Sequence, residues 1–508
     1  MENTTKHSNK AHLPLLILLF VMGFSIRLMH LNAPPLDFHP TRQYRFLMIA
    51  RDFYLADKEL SPTEHKVWSS NQTLLNKLEP PILEKITSWG YQLIGEEVFW
   101  FPRLLNIIFW MLGALLLYFI ARRLASISSA LVACGVFILL PYGVQASRAL
   151  MPEALMLLLL MASCLALLRY DDKPSIKNLL IASTLSALAV FIKTGFCLFV
   201  LYGIFLALLL HKKSTDKRTP PIHIALFLIL SIFPSLIYLF FSIKENSSGR
   251  FFISLLFELS FWKELLNMLN QVYSYPLLVL AILGFLKCHN KKTHYFLLGA
   301  LAGFILFSGY FTYHIQTHNY YHLQFLPFMC LALMPAGQLF LDFFVNKNKK
   351  YNVALYVVLA IICALSFRQS RLRIKQVDYS VTISKKYDVH TNFKDEIKIF
   401  EEIGELCQHS TKTIILSYAY GAPLMYHGKV SGSPWNKKLD YSVMKLKGLD
   451  NTSPNIEKQF KRHDTLNPKY FVVTDFRTYS RDFELQEYLK ENFSIIKENK
   501  HYIIFDMK

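Results

Sequence analysis

The sequence predicts a polytopic α-helical membrane protein with a small α/β domain at its C-terminus. Three features predict this fold class: long apolar runs, basic residues in alternate connecting loops, and a change of composition near residue 369. Of the 508 residues, 53% are hydrophobic and only 18% are charged. A soluble protein is nearer to one quarter charged. A helix of ~20 apolar residues spans a bilayer because it satisfies its own peptide groups.

The apolar runs are the predicted spans, roughly eleven in all. The first run could also be a cleaved signal peptide, but Arg27 interrupts it near its end and no A-x-A site follows, which favours a span. The runs lie near residues 12–31, 99–121, 124–141, 153–168, 178–192, 195–210, 221–242, 273–286, 295–311, 321–345 and 351–367.

Cations in the short loops orient these spans, because Lys and Arg accumulate on the cytoplasmic side. A cytoplasmic N-terminus, carrying Lys6 and Lys10, places most loop cations on that side, and the opposite short loops contain few, such as Arg148 and Lys193. An odd number of spans then puts the C-terminal region outside. This placement accounts for the net charge of +19 without nucleic-acid binding.

Three regions on the predicted outer side are longer than connectors: 32–98, 243–272 and 369–508. In the second, apolar residues recur at helical spacing and predict an amphipathic helix on the membrane surface. We therefore divide the chain into a transmembrane domain, 1–368, which includes the first outer loop at 32–98, and an extracytoplasmic α/β domain, 369–508. In the latter, strands are predicted at 413–417, 470–474 and 502–505, and helices at 395–407 and 483–492.

The first outer loop contains a carboxylate close to the predicted membrane interface. Two amphipathic helices are expected in this loop, one starting near Thr41 and one ending near Gly95, and both are predicted to lie on the bilayer. Asp37 precedes them: it follows the first span within a few residues, in a segment that prolines hold extended. A carboxylate there can act as a general base towards an acceptor hydroxyl, although an ordinary solvated charge is the alternative. Glu79, before two prolines, is a candidate second site carboxylate or a helix N-terminal acid.

Five cations on the same side are candidates for binding a phosphate: Arg42, Arg45, Lys85, Arg148 and Lys193. A guanidinium offers paired donors and a lysine a point charge. Each has a simpler alternative. The first three can be solvated loop charges, Arg148 an interface anchor, and Lys193 a snorkelling lysine at a membrane edge.

The outer loop at 310–324 is rich in histidine and tyrosine and has no fixed charge. His314, His318 and His322 are spaced four residues apart and could bind a metal ion on a helix. An aromatic belt at the membrane interface and a substrate contact are the alternatives.

Taken together, these segments resemble the bacterial GT-C glycosyltransferases, the superfamily of protein O-mannosyltransferases and lipid A aminoarabinose transferases, and most closely their family-39-like relatives. The resemblance covers about residues 32–345. The pieces that carry it, in order, are Asp37-Phe-His-Pro-Thr-Arg-Gln43 with Ile49-Ala-Arg51, Glu79-Pro-Pro81 with Gly95 and Arg103, Ser147-Arg-Ala-Leu-Met-Pro-Glu153, Lys193, and His318-Asn-Tyr-Tyr-His322 followed by Pro327.

The resemblance implies transfer of a sugar from a polyprenyl-phosphate donor, with inversion, on the outer face of the bacterial cytoplasmic (inner) membrane. It places the catalytic Asp at Asp37. Many members have an acidic pair there, but Phe38 follows Asp37 in this chain, so Glu79 becomes the candidate second carboxylate and a divalent metal ion stays an open alternative. The residues assigned to substrate binding are His39, Gln43, Glu153, His318, Tyr320, Tyr321 and His322.

Three other functions fit a polytopic chain. A transporter or flippase should show internal repeats, broken helices or ionisable residues deep in its spans, and the sequence shows no convincing repeat. A glycan ligase or polymerase would use a lipid-diphosphate donor, and a receptor-like protein would use the tail as a sensor. The sequence does not name the sugar, or whether the acceptor is a lipid, a glycan or a protein.

Overall fold

The structure is a computed structural model that describes residues 2–74, 79–213, 219–242, 251–345, 349–375, 393–437, 440–441, 444 and 455–508. The chain falls into two compact units. The helical unit comprises Met1–Met29, Arg103–Arg148 and Pro152–Arg373; the mixed unit comprises His30–Pro102, Ala149–Met151 and Ile374–Lys508. The mixed unit thus combines the first outer loop with the C-terminal region. The predicted domain boundary at 368/369 stays a prediction.

The helical unit is built from helices, most of which coincide with the predicted apolar runs. They are α1 Glu2–Arg27, α5 Trp100–Leu124, α6 Ile127–Leu139, α7 Pro141–Ala146, α8 Glu153–Asp172, α9 Ile176–Ile192, α10 Leu198–Lys213, α11 Pro221–Ser242, α12 Leu259–Tyr273, α13 Tyr275–Leu286, α14 Lys291–Tyr310, α15 Thr312–Thr317, α16 Leu326–Ala332, α17 Met334–Val345 and most of α18 Lys349–Lys375.

Each of the eleven apolar runs overlaps a helix, and the run at 321–345 is divided between a 3-10 helix, α16 and α17. Among the described residues, four helices, α5, α8, α11 and α14, are long and apolar enough to cross a membrane by length and composition alone. The pair α12 and α13, bent by 87°, is a fifth candidate if it forms one span. The protein is therefore a polytopic α-helical membrane protein, as predicted.

Small residues allow α10 and α14 to approach closely. A Cβ atom at Gly203 would lie 2.2 Å from the carbonyl oxygen of Gly299, and one at Gly303 would lie 2.2 Å from that of Phe199. Lipid offers no hydrophobic drive for two apolar helices to associate, so this backbone-to-backbone packing supplies the attraction.

The helix predicted within 243–272 is present as α12, preceded by a 3-10 turn at Ile253–Phe257. Its first half exposes Leu259, Trp262 and Leu266. Residues 243–250 lie outside the described residues. The location of α12 on a membrane surface stays a prediction.

The first part of the mixed unit contains α2 Pro40–Leu55, α3 Pro62–Leu74 and α4 Ile82–Ile94. The apolar face of α2, with Phe46, Ile49 and Ala50, is buried and packs against protein rather than lying open for a bilayer. In α4, Leu83 and Tyr91 are buried, whereas other apolar side chains of that helix are exposed.

The second part is the C-terminal α/β domain, whose five strands lie in the order β2-β1-β3-β5-β4. The strand β1 is parallel to β2 and β3, and β5 is antiparallel to β3 and β4. The strands are β1 Thr413–Leu416, β2 Gly432–Pro434, β3 Tyr470–Val473, β4 Ser494–Glu498 and β5 Ile503–Asp506, and the helices are α19 Phe393–Leu406, α20 Ala422–His427, α21 Ile456–Lys461, α22 Phe476–Tyr479 and α23 Phe483–Asn492.

This domain confirms the three predicted strands and both predicted helices. Its core packs Trp435, Phe460 and Phe471 with Leu485 and Phe505.

Polar contacts join α2 to α20 within the mixed unit. The Nε atom of Arg51 donates to both carboxylate oxygens of Glu97 at 2.9 Å, and Nη1 donates to the carbonyl oxygen of Tyr426 at 2.9 Å. The Tyr426 hydroxyl donates to the same carboxylate at 2.6 Å. A further hydrogen bond of 2.8 Å joins the hydroxyl of Tyr44 to Nε2 of His427. These contacts fix the first outer loop against the C-terminal domain.

Candidate active site

Asp37 lies in a short irregular segment between α1 and α2, and only 5% of it is exposed. The proline-rich sequence keeps this segment out of the helices, because a proline lacks an N–H and disfavours a helical residue before it. His39 adopts a left-handed conformation with φ of 43° and precedes Pro40, the first residue of α2. A left-handed non-glycine residue is costly and persists only when its surroundings hold it.

Gln43, in the first turn of α2, is completely buried. Its Nε2 atom donates to the carbonyl oxygens of Phe38 at 2.5 Å and of Pro35 at 3.4 Å. Its Oε1 atom accepts from the main-chain N–H of Leu150 at 2.8 Å. Gln43 was assigned to substrate binding from the sequence, and the structure directs its amide to the main chain.

Arg42 and Glu79 form a half-buried ion pair with an N–O distance of 2.6 Å. The nearby carboxyl of Glu84 has a pKa raised to about 7, first by burial and then by the charge of Glu79, while Arg42 and Arg45 oppose the rise. The Nζ atom of Lys85, the next residue of α4, lies 4.7 Å from the centre of the Phe53 ring. Among the predicted site residues of this loop, the structure therefore joins Arg42 of α2 with Glu79, which precedes α4.

In the helical unit, Arg148 is buried beside a second buried arginine. Nη1 of Arg148 donates to the main-chain carbonyl of Arg27. Arg27 in turn donates from Nε to the hydroxyl of Ser147 at 2.8 Å and from Nη1 to the carbonyl of Gly23 at 2.7 Å. Arg27 is not among the predicted site residues, although a cation that interrupts an apolar run is a sequence signal for it.

Glu153 and Lys193 are joined by a hydrogen-bonded ion pair. Glu153 is the first residue of α8, and Lys193 directly follows the last residue of α9. The Lys193 ammonium also lies over aromatic rings, 4.0 Å from the centre of Phe196 and 4.6 Å from that of Tyr320. The structure thus brings together Glu153, Lys193 and Tyr320, three of the predicted site residues.

The predicted loop at 310–324 is α15 followed by a 3-10 helix, Asn319–Phe325. The rings of His314 and Tyr321 are stacked at 5.0 Å, and those of His318 and Tyr320 lie edge to face at 5.4 Å. His322 is fully buried, with Nε2 2.8 Å from the carbonyl oxygen of Ile315. This contact fits a histidine that stabilises the local fold.

The described side chains do not by themselves form a metal centre. The rings of His314 and His318 are 5.4 Å apart. Within the described ranges, no group of three or more His, Cys, Asp or Glu residues is placed to hold a metal ion.

A family model described as dolichyl-phosphate-mannose-protein mannosyltransferase matches residues 78–238, which include Glu79, Arg148, Glu153 and Lys193. No curated protein matches the sequence significantly. Among solved structures, ArnT from Cupriavidus metallidurans in the apo state has a TM-score of 0.56 at 12% identity, over 99% of this chain and 98% of that one.

The same enzyme bound to undecaprenyl phosphate has a TM-score of 0.54 at 12% identity, over 98% of both chains. The archaeal oligosaccharyltransferase AglB from Archaeoglobus fulgidus, in complex with an inhibitory peptide and a dolichol-phosphate, has a TM-score of 0.53 at 12% identity, over 92% of this chain and 70% of that one. These matches confirm the resemblance at the level of structure: the chain has the GT-C glycosyltransferase fold.

Proposed function

We propose that the protein is a glycosyltransferase that moves a sugar from a polyprenyl-phosphate donor to an acceptor hydroxyl. The reaction takes place on the outer face of the bacterial cytoplasmic membrane, with the N-terminus in the cytoplasm. The observation that carries the proposal is a nearly buried carboxylate, Asp37, in the first loop of a GT-C fold. The match to a structure with bound undecaprenyl phosphate supports the class of donor.

In the proposed mechanism, Asp37 is the general base. Its carboxylate takes the proton of the acceptor hydroxyl while the acceptor oxygen forms a bond to the anomeric carbon of the sugar. The bond between that carbon and the phosphate oxygen breaks on the opposite side, so the configuration inverts. The polyprenyl phosphate leaves with the electron pair of that bond.

The leaving phosphate is an anion, so fixed cations lower the barrier. Arg148 and Lys193 are the cations that we assign to it in the helical unit, because both are buried and a buried charge acts in a low effective dielectric. Arg42, Arg45 and Lys85 are the candidates in the mixed unit. Glu79 is paired with Arg42 and orients that guanidinium, which leaves Asp37 as the base.

Transport is the main competing function, and the placement of charge argues against it. The buried pair Glu153 and Lys193 lies where α8 begins and α9 ends, not in the middle of either helix. Intramembrane ion pathways instead require ionisable groups within the spans.

The test is sugar transfer in membranes that contain the Asp37→Asn variant. We expect transfer from a radiolabelled polyprenyl-phosphate sugar to be abolished at unchanged expression. Asp57→Asn, which makes the same change at an exposed position of the same loop, is the matched control and should retain full transfer. Normal transfer by Asp37→Asn would exclude Asp37 as the base.

The donor class is tested separately with wild-type protein. Lipid-monophosphate and lipid-diphosphate sugars are supplied in parallel. Transfer from the monophosphate supports the proposed function, whereas transfer only from the diphosphate identifies a glycan ligase or polymerase. Movement of labelled lipid across the bilayer without sugar transfer identifies a flippase.

A further inference from the structure

The side chain of Gln43 is bound to main-chain atoms at both ends of its amide. Both donors of Nε2 point to carbonyl oxygens, and Oε1 accepts an N–H. Because Gln43 is fully buried, each of these bonds replaces one that water would otherwise supply. A side chain so engaged is not offering its amide to a substrate.

The two carbonyl groups that Gln43 holds lie on either side of Asp37 in the chain. Pro35 is two residues before the carboxylate and Phe38 is one residue after it. This segment forms no helix or strand. A proline also supplies no N–H for a turn of its own. The amide of Gln43 therefore supplies hydrogen bonds that the local main chain does not provide.

The third bond ties this segment to a distant part of the chain. Leu150, whose N–H donates to Gln43, belongs to the short stretch Ala149–Met151 of the mixed unit. That stretch follows Arg148 directly in the sequence. One buried amide thus links the Asp37 segment with a second loop.

We infer that Gln43 is a positioning residue for Asp37: its amide fixes the Pro35–Phe38 segment so that the carboxylate keeps the orientation needed for proton removal. The inference rests on the proposed function. Glutamine suits this role because its amide has two donors and an acceptor at one end of a flexible stem. Glutamate has only acceptors when ionised and would face the two carbonyl oxygens with negative charge.

The first test separates chemistry from binding. Gln43→Met keeps the length of the side chain and removes the hydrogen bonds. We expect the transfer rate at saturating donor to fall on the order of 10–100-fold, the effect of a misplaced catalytic group. The dissociation constant for undecaprenyl phosphate should stay within about threefold, because a positioning residue of the base does not hold the phosphate.

Gln459→Met is the matched control. Gln459 is a buried glutamine of the C-terminal domain that accepts a hydrogen bond from Tyr441. Loss of this hydrogen bond should lower the unfolding temperature without lowering the transfer rate at saturating donor. If both variants lower stability and rate in the same proportion, Gln43 is only structural and the inference fails.

The second test asks whether Gln43 acts through Asp37. Asp37→Glu moves the carboxylate outward by one methylene and so already spoils its placement. If Gln43 only positions this carboxylate, adding Gln43→Met to Asp37→Glu should lower the rate by less than threefold. Independent effects that multiply would overturn the inference.

The third test needs no activity. The N–H of Leu150 donates to Gln43 directly, so its hydrogen exchange should become faster in Gln43→Met than in wild type or Gln459→Met. Unchanged hydrogen exchange at Leu150 and in residues 36–39 would show that the hydrogen bonds of Gln43 do not hold this segment. If hydrogen exchange is faster in the variant but the wild-type protein transfers no sugar, the structural role of Gln43 stands and the proposed function is refuted.

Discussion

Glu153 and Lys193 form an ion pair whose side chains are only 2% and 1% exposed, at the adjoining ends of α8 and α9. Burying two charges is costly, and their mutual attraction offsets that cost only while both are present. The junction of α8 and α9 therefore depends on both charges being present together, and the pair also contains one of the cations assigned to the donor phosphate.

Removing one member of this pair should be more damaging than removing both. Lys193→Met leaves the Glu153 carboxylate buried without its cation and should lower the free energy of unfolding by about 3–5 kcal/mol. The double variant Glu153→Leu/Lys193→Met removes both charges and should regain most of that loss. Thermal unfolding in detergent measures the difference. A double variant as unstable as the single one would show that the loss does not come from an unpaired buried charge.

The same double variant tests the proposed role of the Glu153–Lys193 pair, and of the Lys193 cation in particular, in donor binding. Its stability is largely restored, so a loss of affinity for undecaprenyl phosphate cannot be attributed to unfolding. We expect a loss of about tenfold, equivalent to one hydrogen-bonded charge. Wild-type affinity in the stable double variant would remove Lys193 from the phosphate site.

The raised pKa of Glu84 predicts a pH-dependent stability. Burial raises this pKa from 4.5 to about 7 in the folded protein. Between these two values the unfolded chain has lost the proton while the folded chain retains it, so stability falls as the pH rises. Above about pH 7 this contribution to the free energy of unfolding, about a few kcal/mol, is completely lost.

In Glu84→Gln the buried side chain is neutral at every pH, so no negative charge has to be buried. The variant should be more stable than wild type at about pH 8 and should lose this advantage as the pH approaches 4. Glu96→Gln, at an exposed position just beyond the same helix, is the control and should follow wild type at every pH. Urea unfolding across this range measures both. A pH-independent effect of Glu84→Gln would contradict the prediction.

The contacts of Arg51 predict that lysine is a poor substitute there. Its Nε–H is shared between the two oxygens of the Glu97 carboxylate while Nη1 reaches the Tyr426 carbonyl, and a lysine cannot make these bonds together. Arg51→Lys should cost about 1–3 kcal/mol. It should also speed hydrogen exchange in α20, whereas Arg481→Lys at an exposed site should change neither. Unaltered exchange in α20 would show that the network does not hold this helix.

Two exposed apolar side chains on α4, Trp89 and Leu93, predict contact with lipid. They are 53% and 90% exposed and lie one helical turn apart. In bilayers containing brominated lipid, Trp89→Phe should reduce the quenchable part of the tryptophan fluorescence with little loss of stability. Trp435→Phe, at a buried position of the C-terminal core, should instead reduce the unquenched part. Equal quenching in wild type and Trp89→Phe would mean that α4 faces water.

Most of the fold follows from the sequence because the membrane constrains it strongly. Apolar runs identify the helices, and short β-branched or aromatic runs identify β1, β3 and β5. The other two strands carry little signal. Gly432–Pro434 is three residues long and contains a proline, and Ser494–Glu498 is exposed along its whole length, so no alternating pattern marks it.

The site follows from the sequence only in part. Residue types indicate Arg148 and Lys193 because cations are few in the short loops of the predicted outer side, and Asp37 because it lies close to the predicted membrane interface. They do not reveal the partners of those charges, since Arg42 and Glu79 pair across 37 positions of the chain. The role of Gln43 is hidden for a different reason: its partners are main-chain atoms, which every residue possesses.

The composition of the mixed unit has a consequence for biosynthesis. Its first part leaves the ribosome well before its last, because residues 103–373, nearly all of them in the helical unit, are synthesised in between. At the usual rate of translation this interval is on the order of tens of seconds. During that time Arg51 and Tyr44 cannot form the contacts that they make with α20 in the complete protein. A ribosome that stalls before residue 422 would leave a chain with every predicted span made and its first loop still unsupported.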